Sequence, residues 1–365
     1  MDHLKVLKRA WETTWRYRAL WVFGIILALT TAGGGFNSGG GGGDGRFQYK
    51  LNGEDLFDLQ MGEMFPPEVV SALIAIGLGL ACVIVILIIA AAVARYVAET
   101  ALIRMVDDYE ETGEQCSVRQ GFRMGWSRTA WRLFLIKLLI SLPVTLAFIL
   151  LFLLVLALGL LSGLVVMKNS VVAGVIGIVA AVGLFFMLIF LAIVVGAVLS
   201  LLRKFFWRAC ALEGLGVIES IRQGFDVVRQ YLKDVVIMWL IMIGVHIGWT
   251  IAMIAMAIVL LPAIILLIIV GGVLGGLPAL LVGGLASLFF EGAVPWILAG
   301  LIGIPIFILV VAVPWLFLGG LMEVFKSSTW TLTYRELRAL ESLETEPEQS
   351  PELDAPGLDP LPDSS

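Results

Sequence analysis

The stretch Leu133 to Val166, LFLIKLLISLPVTLAFILLFLLVLALGLLSGLVV, decides the fold class of this chain. No charged residue lies between Lys137 and Lys168. About 20 consecutive apolar residues are enough for a helix to cross the hydrocarbon core of a bilayer, which is about 30 Å thick. The stretch exceeds that length, so it predicts a transmembrane helix.

The composition extends this prediction to the whole chain. Of its 365 residues, 60% are hydrophobic and 15% are charged, and the mean hydropathy is +1.00. Soluble domains are about half apolar and about a quarter charged, so a soluble fold is excluded. We predict an all-α integral membrane protein with six transmembrane helices. The apolar runs lie at about 19 to 36, 69 to 94, 133 to 166, 171 to 202, 235 to 270 and 294 to 322.

Lysine and arginine are distributed unevenly between these runs. Of the 24 basic residues, 21 lie before residue 19, in 95–137, in 203–233 or after 325. Cytoplasmic loops of membrane proteins are rich in Lys and Arg. We therefore expect a multi-pass protein of the bacterial cytoplasmic (inner) membrane with both termini in the cytoplasm. A cleaved signal peptide is the alternative for the first run, but its leader is aromatic and resembles later segments of the chain.

Three segments differ in composition from the apolar runs. Residues 37–68 combine a run of glycines with acidic residues, which predicts a flexible outer loop. The acidic, proline-rich residues 343–365 predict a disordered tail, so the membrane domain covers 1–342. Residues 271–284 carry six glycines and Pro278, and we expect a re-entrant or interfacial turn there, within 271–290. Pro143 and Pro262 are the expected kink points of the two longest runs.

A short block of sequence recurs along the chain. Ser117 to Phe122, SVRQGF, is nearly repeated as Ser220 to Phe225, SIRQGF, and more faintly as Leu7 to Trp11, LKRAW. Each copy is followed four residues later by a second large side chain, a spacing that places both on one helix face. The pattern predicts amphipathic helices at the cytoplasmic membrane interface. The architecture is then three repeats, about 4–110, 115–215 and 218–342, each an interfacial helix followed by a transmembrane hairpin.

The RQGF blocks at Arg119 and Arg222 and the closing segment Thr331 to Leu337, TLTYREL, carry a resemblance. Together they resemble bacterial inner-membrane families that include YciC-like proteins and the membrane domain attached to some glycerophosphodiester phosphodiesterases. The closing segment looks like the Tyr-x-x-Leu helix of that family. The resemblance implies a six-helix integral membrane architecture and brings no catalytic residue with it.

Ionisable residues inside membrane helices are costly and mark candidate sites. His246 lies well inside its predicted crossing, between Gly244 and Gly248, whose spacing permits close helix approach. Glu291 stands on the outer side. Both are candidates for an intramembrane polar site; the alternatives are a neutral imidazole bonded to a neighbouring helix and an interfacial loop carboxylate. His3 is the other histidine, so no metal site is predicted, and no cofactor or catalytic residue either.

Basic residues beside aromatic ones mark the helix ends. Trp with Lys or Arg at the headgroup level is the expected anchor of a membrane span, so membrane lipids are the predicted partners and nucleic acid is not. The candidate headgroup contacts are Arg119, Arg128, Arg132, Arg203, Lys204, Arg208 and Arg222.

The chain carries none of the usual enzymatic constellations, since it has no HExxH motif and too few histidines for a Ser-His-Asp arrangement. The sequence therefore predicts a non-enzymatic structural, assembly or lipid-associated component of the membrane. The alternative is a transporter or permease for an apolar or lipidic substrate, which the repeat, the region around Pro278 and His246 favour. Both are compatible with an unidentified membrane or cytoplasmic protein partner.

Overall fold

A computed structural model describes residues 1–32, 67–167, 171–290, 292 and 294–345. This part of the chain contains α-helices and no strands, which confirms the all-α class for it. The helices are α1 His3–Arg16, α2 Ala19–Ala32, α3 Pro67–Thr112, α4 Val118–Gly125, α5 Arg128–Met167, α6 Val171–Leu212, α7 Val217–Gln230, α8 Leu232–Val259, α9 Leu261–Ala286 and α10 Val294–Thr345. The predictions for 37–66 and for the tail after 345 lie outside the described residues.

Within the described residues, six helices are long and apolar enough to cross a bilayer, as expected of a multi-pass membrane protein. They are Gly77–Thr112, Arg128–Leu164, Gly174–Leu212, Leu232–Val259, Leu261–Ala286 and Val294–Leu343.

These six helices are not the six that the apolar runs predict. The run from residue 19 is the short helix α2, whose 14 residues extend only about 21 Å. The run 235 to 270 is instead divided at Leu260 into α8 and α9. The division lies next to Pro262, whose ring removes a backbone hydrogen bond. The break at Leu260 therefore divides one apolar run into two helices.

The prediction of a turn at 271–284 is wrong, because these residues are helical within α9. The glycines instead allow close packing of α9 on α10. A β-carbon on Gly275 would lie 2.6 Å from the carbonyl oxygen of Gly303, and one on Gly271 would lie 3.2 Å from the Phe307 ring. Small residues that let backbones approach are typical of helix pairs in membranes.

Most buried side chains lie at one end of the molecule, which we call the base. The base contains α1, α2, α4 and α7 together with the adjoining ends of α3, α5, α6, α8 and α10. Its fully buried side chains include Tyr17, Phe23, Phe205, Trp330 and Tyr334. Burying an apolar side chain of this size contributes about 1.5–3 kcal/mol, so the base is the most strongly packed part of the fold.

Beyond the base the long helices continue as three apolar arms. They are residues 77–93 of α3, residues 138–202 of the α5–α6 hairpin, and residues 243–318 of α8, α9 and α10. The most apolar 18-residue windows of Gly77–Thr112 and Arg128–Leu164 contain no buried residue. Apolar faces exposed over such lengths fit contact with lipid chains rather than with water.

Each short helix of the base packs on the end of a long one. The α4 helix lies on α3, where the Cα of Gly121 is so close to Met105 that a β-carbon would collide with its sulfur. The α7 helix lies on α6, where a β-carbon on Gly224 would be 2.6 Å from the Phe206 ring. The α1 helix lies on α10, at the other end of the chain. The glycine of each RQGF block is therefore a packing contact.

The two RQGF blocks begin their helices differently. Ser117 caps α4 in a capping box, in which its backbone N–H donates to Oε1 of Gln120 at 2.8 Å. The aligned Ser220 lies one turn inside α7 and donates to the carbonyl oxygen of Gly216 at 2.6 Å. The second helix thus starts about one turn earlier than its sequence match suggests.

Candidate functional site

Polar contacts between helices of the base converge on the closing segment of α10. Arg335 forms an ion pair with Asp107 of α3. Arg338 binds Glu213, just after α6, with Nε and Oε1 2.9 Å apart, and the buried Tyr334 hydroxyl donates to the same carboxylate. The closing segment is therefore the point where the ends of α3, α6 and α10 are joined.

Arg104 joins four other segments of the base. Its Nε donates to the carbonyl oxygen of Ala211 at 3.2 Å, and its Nη1 donates to that of Met124 at 3.2 Å. Its Nη2 donates to Thr129 Oγ1 at 2.7 Å, and Nη1 lies 3.4 Å from Ser127 Oγ. One guanidinium thus connects α3 to the ends of α4 and α6 and to the start of α5.

A layer of charged side chains lies where the base meets the arms, and we call it the junction. It contains six cations, two carboxylates and one histidine, so positive charge is in excess. The residues are Arg95, Glu99, Lys137, Arg203, Lys204, Arg208, His246, Glu323 and Lys326. The long apolar stretches begin directly beyond it, so the junction marks the polar boundary of the apolar layer.

One side of the junction combines cations from three helices with two aromatic rings. The Tyr96 and Trp207 rings are in edge contact, with centroids 6.3 Å apart. Lys137 Nζ lies 6.0 Å from the centroid of Tyr96, and the Arg203 guanidinium carbon lies 5.3 Å from that of Trp207. Arg95 is an electrostatic neighbour of both cations. This arrangement concentrates positive charge at one point between α3, α5 and α6.

The other side of the junction lies between α6 and α10. Lys204 Nζ is 4.4 Å from the centroid of the Trp330 ring. Arg208 is only 2% exposed, and it donates to the carbonyl oxygens of Lys204 at 2.7 Å and Ser327 at 3.0 Å. Its prediction as a lipid headgroup contact is therefore wrong, because the guanidinium is enclosed between helices.

His246 is partly buried on α8, and its Nδ1 has no hydrogen-bond partner in the described residues. Its electrostatic neighbours are Lys326, Glu323 and Lys204, so it belongs to the junction. A β-carbon at Gly244 or Gly248 would meet nothing within 4 Å. Within the described part of the chain, no other helix therefore packs closely against α8 at these two glycines.

The other predicted site residues are dispersed. Glu291 lies outside the described residues. Arg119, Arg128 and Arg222 are exposed on or beside the short helices. Arg132 donates through Nη1 to the carbonyl oxygens of Gly214 at 2.8 Å and Leu215 at 3.1 Å, and so binds the α6–α7 connection.

Sequence reasoning overlooked Arg95, Glu99 and Arg104 as members of a site. The i,i+4 spacing of Arg95 and Glu99 at the end of an apolar run was an available signal, since such pairs share a helix face. Lys137 lies at the start of its predicted crossing, where a lysine can extend its stem towards the interface. Nothing in the local sequence indicates that Arg104 reaches three other helices.

Clefts open on the base, and two of them are lined by described residues that include charged side chains. One, of about 330 Å³, lies between α1, α3 and α10 and is lined by Lys5, Arg9, Glu110 and Arg335 among others. Arg9 pairs with Glu110 there, which leaves little uncompensated charge. The other, of about 280 Å³, lies between α1 and the end of α3. No group of His, Cys, Asp and Glu suited to a metal ion occurs among the described residues.

Cys116 is expected to react slowly with maleimides. Its thiol donates to Asp108 Oδ2 at 2.8 Å, and this bond, followed by burial, raises the pKa of Cys116 above its ordinary value. The reactive thiolate therefore forms only at higher pH. In a Cys82→Ser/Cys210→Ser background, Asp108→Asn should increase the alkylation rate near pH 8 and shift the rate profile to lower pH. Identical pH profiles for the two proteins would contradict this assignment.

Comparison with known proteins places the chain in a family. No curated protein and no solved structure is significantly similar to it. A family model matches residues 3–332, which extend from α1 into the closing segment and so include the junction, the described arms and most of the base. The chain therefore belongs to the family of unknown function DUF7544.

Proposed function

We propose that this protein is a non-enzymatic, lipid-associated scaffold of the bacterial inner membrane. The observation that carries the proposal is the contrast between the packed base and the exposed apolar arms. Arms that bury so little of their apolar surface against each other leave that surface to lipid chains or to apolar partner helices. The base would hold the arms at fixed spacing, and lipid would occupy the spaces between them.

The scaffold is proposed to consist of three related units, α1–α3, α4–α6 and α7–α10. Support comes from the packing of the short helices, because α4 lies on the last helix of the first unit and α7 on the last helix of the second. The α1 helix lies on the last helix of the third unit, so the order of contacts is cyclic. The high content of Lys and Arg in the base supports a cytoplasmic position for it under the positive-inside rule.

Lipid retention tests this function. We expect the full chain, purified in a mild detergent, to carry several phospholipids per protein in native mass spectrometry. Removal of those lipids should lower its melting temperature, because bound molecules stabilise the state that binds them. Retention of no lipid, or turnover of a substrate by the purified protein, would contradict the proposal.

A transporter for an apolar or lipidic substrate is the second candidate, and His246 favours it. The histidine combines an unpaired Nδ1 with charged neighbours at the edge of an apolar arm. However, neither of the two clefts on the base is lined by it. In vesicles containing the full chain, a transporter would accelerate flux of a fluorescent phospholipid, and His246→Gln would reduce that flux whereas Gly248→Ala would not. The scaffold proposal predicts no flux in either protein.

A further inference from the structure

We propose that Arg95, Lys137 and Arg203 bind the phosphate group of an anionic phospholipid at the junction. The inference rests on the proposed lipid association and adds to it a defined headgroup site. We call these three residues the cation triad.

The geometry brings the triad together through the aromatic pair. Lys137 lies over Tyr96, Arg203 lies over Trp207, and the two rings touch. Arg95 directly precedes Tyr96 on α3. Arg95 is also an electrostatic neighbour of Lys137 and Arg203. Three cations from α3, α5 and α6 are thus neighbours, although like charges repel each other when they are brought close.

The triad lacks the partners that would normally neutralise it. Within the described residues, none of its three members forms an ion pair or a hydrogen bond to another group of the protein. Glu99 is the carboxylate in electrostatic range, but its strongest neighbour is Arg208. Trp207 is 8% exposed, and its indole N–H has no acceptor. The site is thus rich in donors and positive charge, which suits a phosphate anion.

The position of the triad favours a lipid as the source of that phosphate. The three cations are partly exposed, and they lie where the apolar residues of the α3 arm and of the α5–α6 arm begin. A headgroup bound there would place its acyl chains along the arms at 77–93, 138–164 and 174–202, whose described side chains are largely exposed. Because positive charge remains in excess, the site should prefer anionic lipids over zwitterionic ones.

The experiment compares lipid preference in matched variants of the full chain. Delipidated protein is titrated with phosphatidylglycerol or phosphatidylcholine, and bound lipid is counted by native mass spectrometry. We expect Lys137→Gln/Arg203→Gln to weaken phosphatidylglycerol binding about fivefold for each charge removed. Lys5→Gln/Lys8→Gln removes the same charge from exposed positions on α1 and should leave the preference intact. Lys137→Arg/Arg203→Lys keeps the charge and should retain the preference.

Four other outcomes would overturn the proposed headgroup site, and each would point to a different explanation. Equal losses in the two glutamine variants would indicate general electrostatic attraction. Displacement of phosphatidylglycerol by glycerol phosphate at equal concentration would make a soluble phosphate the ligand. Equal binding of both lipids by the wild-type chain would overturn the triad site and leave the lipid-associated scaffold standing. Binding of neither lipid would overturn the scaffold as well.

Discussion

Replacing Gly24 with alanine is expected to separate α2 from α10. At this position α2 crosses α10 so closely that a β-carbon would collide with the carbonyl oxygen of Gly320 and lie 2.5 Å from a methyl group of Val324. The obstacle includes backbone, which a side-chain rotation cannot relieve. Overpacking of this kind typically costs about 1–3 kcal/mol, and we expect a loss at the upper end of that range.

The control is the same substitution at Gly244, where a β-carbon would meet nothing within 4 Å. Both glycines lie inside helices, so both variants gain the same helix propensity of about 1 kcal/mol. Thermal unfolding of the two purified variants in one detergent gives the comparison. Equal melting temperatures would show that the α2–α10 crossing is looser than the structure describes.

Replacing Arg104 with methionine is expected to be similarly damaging. The change keeps an unbranched apolar side chain but removes the guanidinium that donates to two backbone carbonyls and to Thr129. Hydrogen bonds from charged groups contribute about 1.5–3 kcal/mol each, and those bonds are not additive. We expect a loss of about 3 kcal/mol, together with loosening of the start of α5.

Arg123→Met is the matched control, since this arginine is exposed on the neighbouring helix α4. Thermal unfolding measures the stability of both variants, and limited proteolysis between α4 and α5 reports the local loosening. A proteolysis pattern identical to that of the wild-type chain would argue that Arg104 does not position α5.

The apolar runs were sufficient to predict six long helices but not to give the bounds of each one. Run length does not show where a helix breaks, so 235 to 270 was treated as one run, although it divides at Leu260 beside the expected kink point Pro262. The glycines of 271–284 were interpreted as a turn because glycine frees the backbone. In the fold these glycines matter for a different reason. They have no side chain, so α9 and α10 can pack closely there.

The junction was only partly predictable for a related reason. Arg203, Lys204 and His246 were identified as polar residues at helix ends or within a crossing, which is a local property. The neighbours of junction residues come from distant parts of the chain. Arg208, for example, binds the carbonyl oxygen of Ser327, which is 119 positions away. A single sequence carries no information about which of these distant residues are neighbours, so the cation triad emerges only in three dimensions.

The α1 helix packs on α10, which is synthesised much later than α1. Trp11 of α1 stacks edge-on against Phe325 of α10, with ring centroids 5.9 Å apart. A ribosome adds about 5–20 residues per second, so roughly 15 to 60 seconds separate the synthesis of these two side chains. During that interval the first helix of the protein exists without the surface on which it finally rests. In a chain that stops before α10, α1 has no surface on which to pack. Proteases and chaperones can then recognise the exposed helix and with it the incomplete protein.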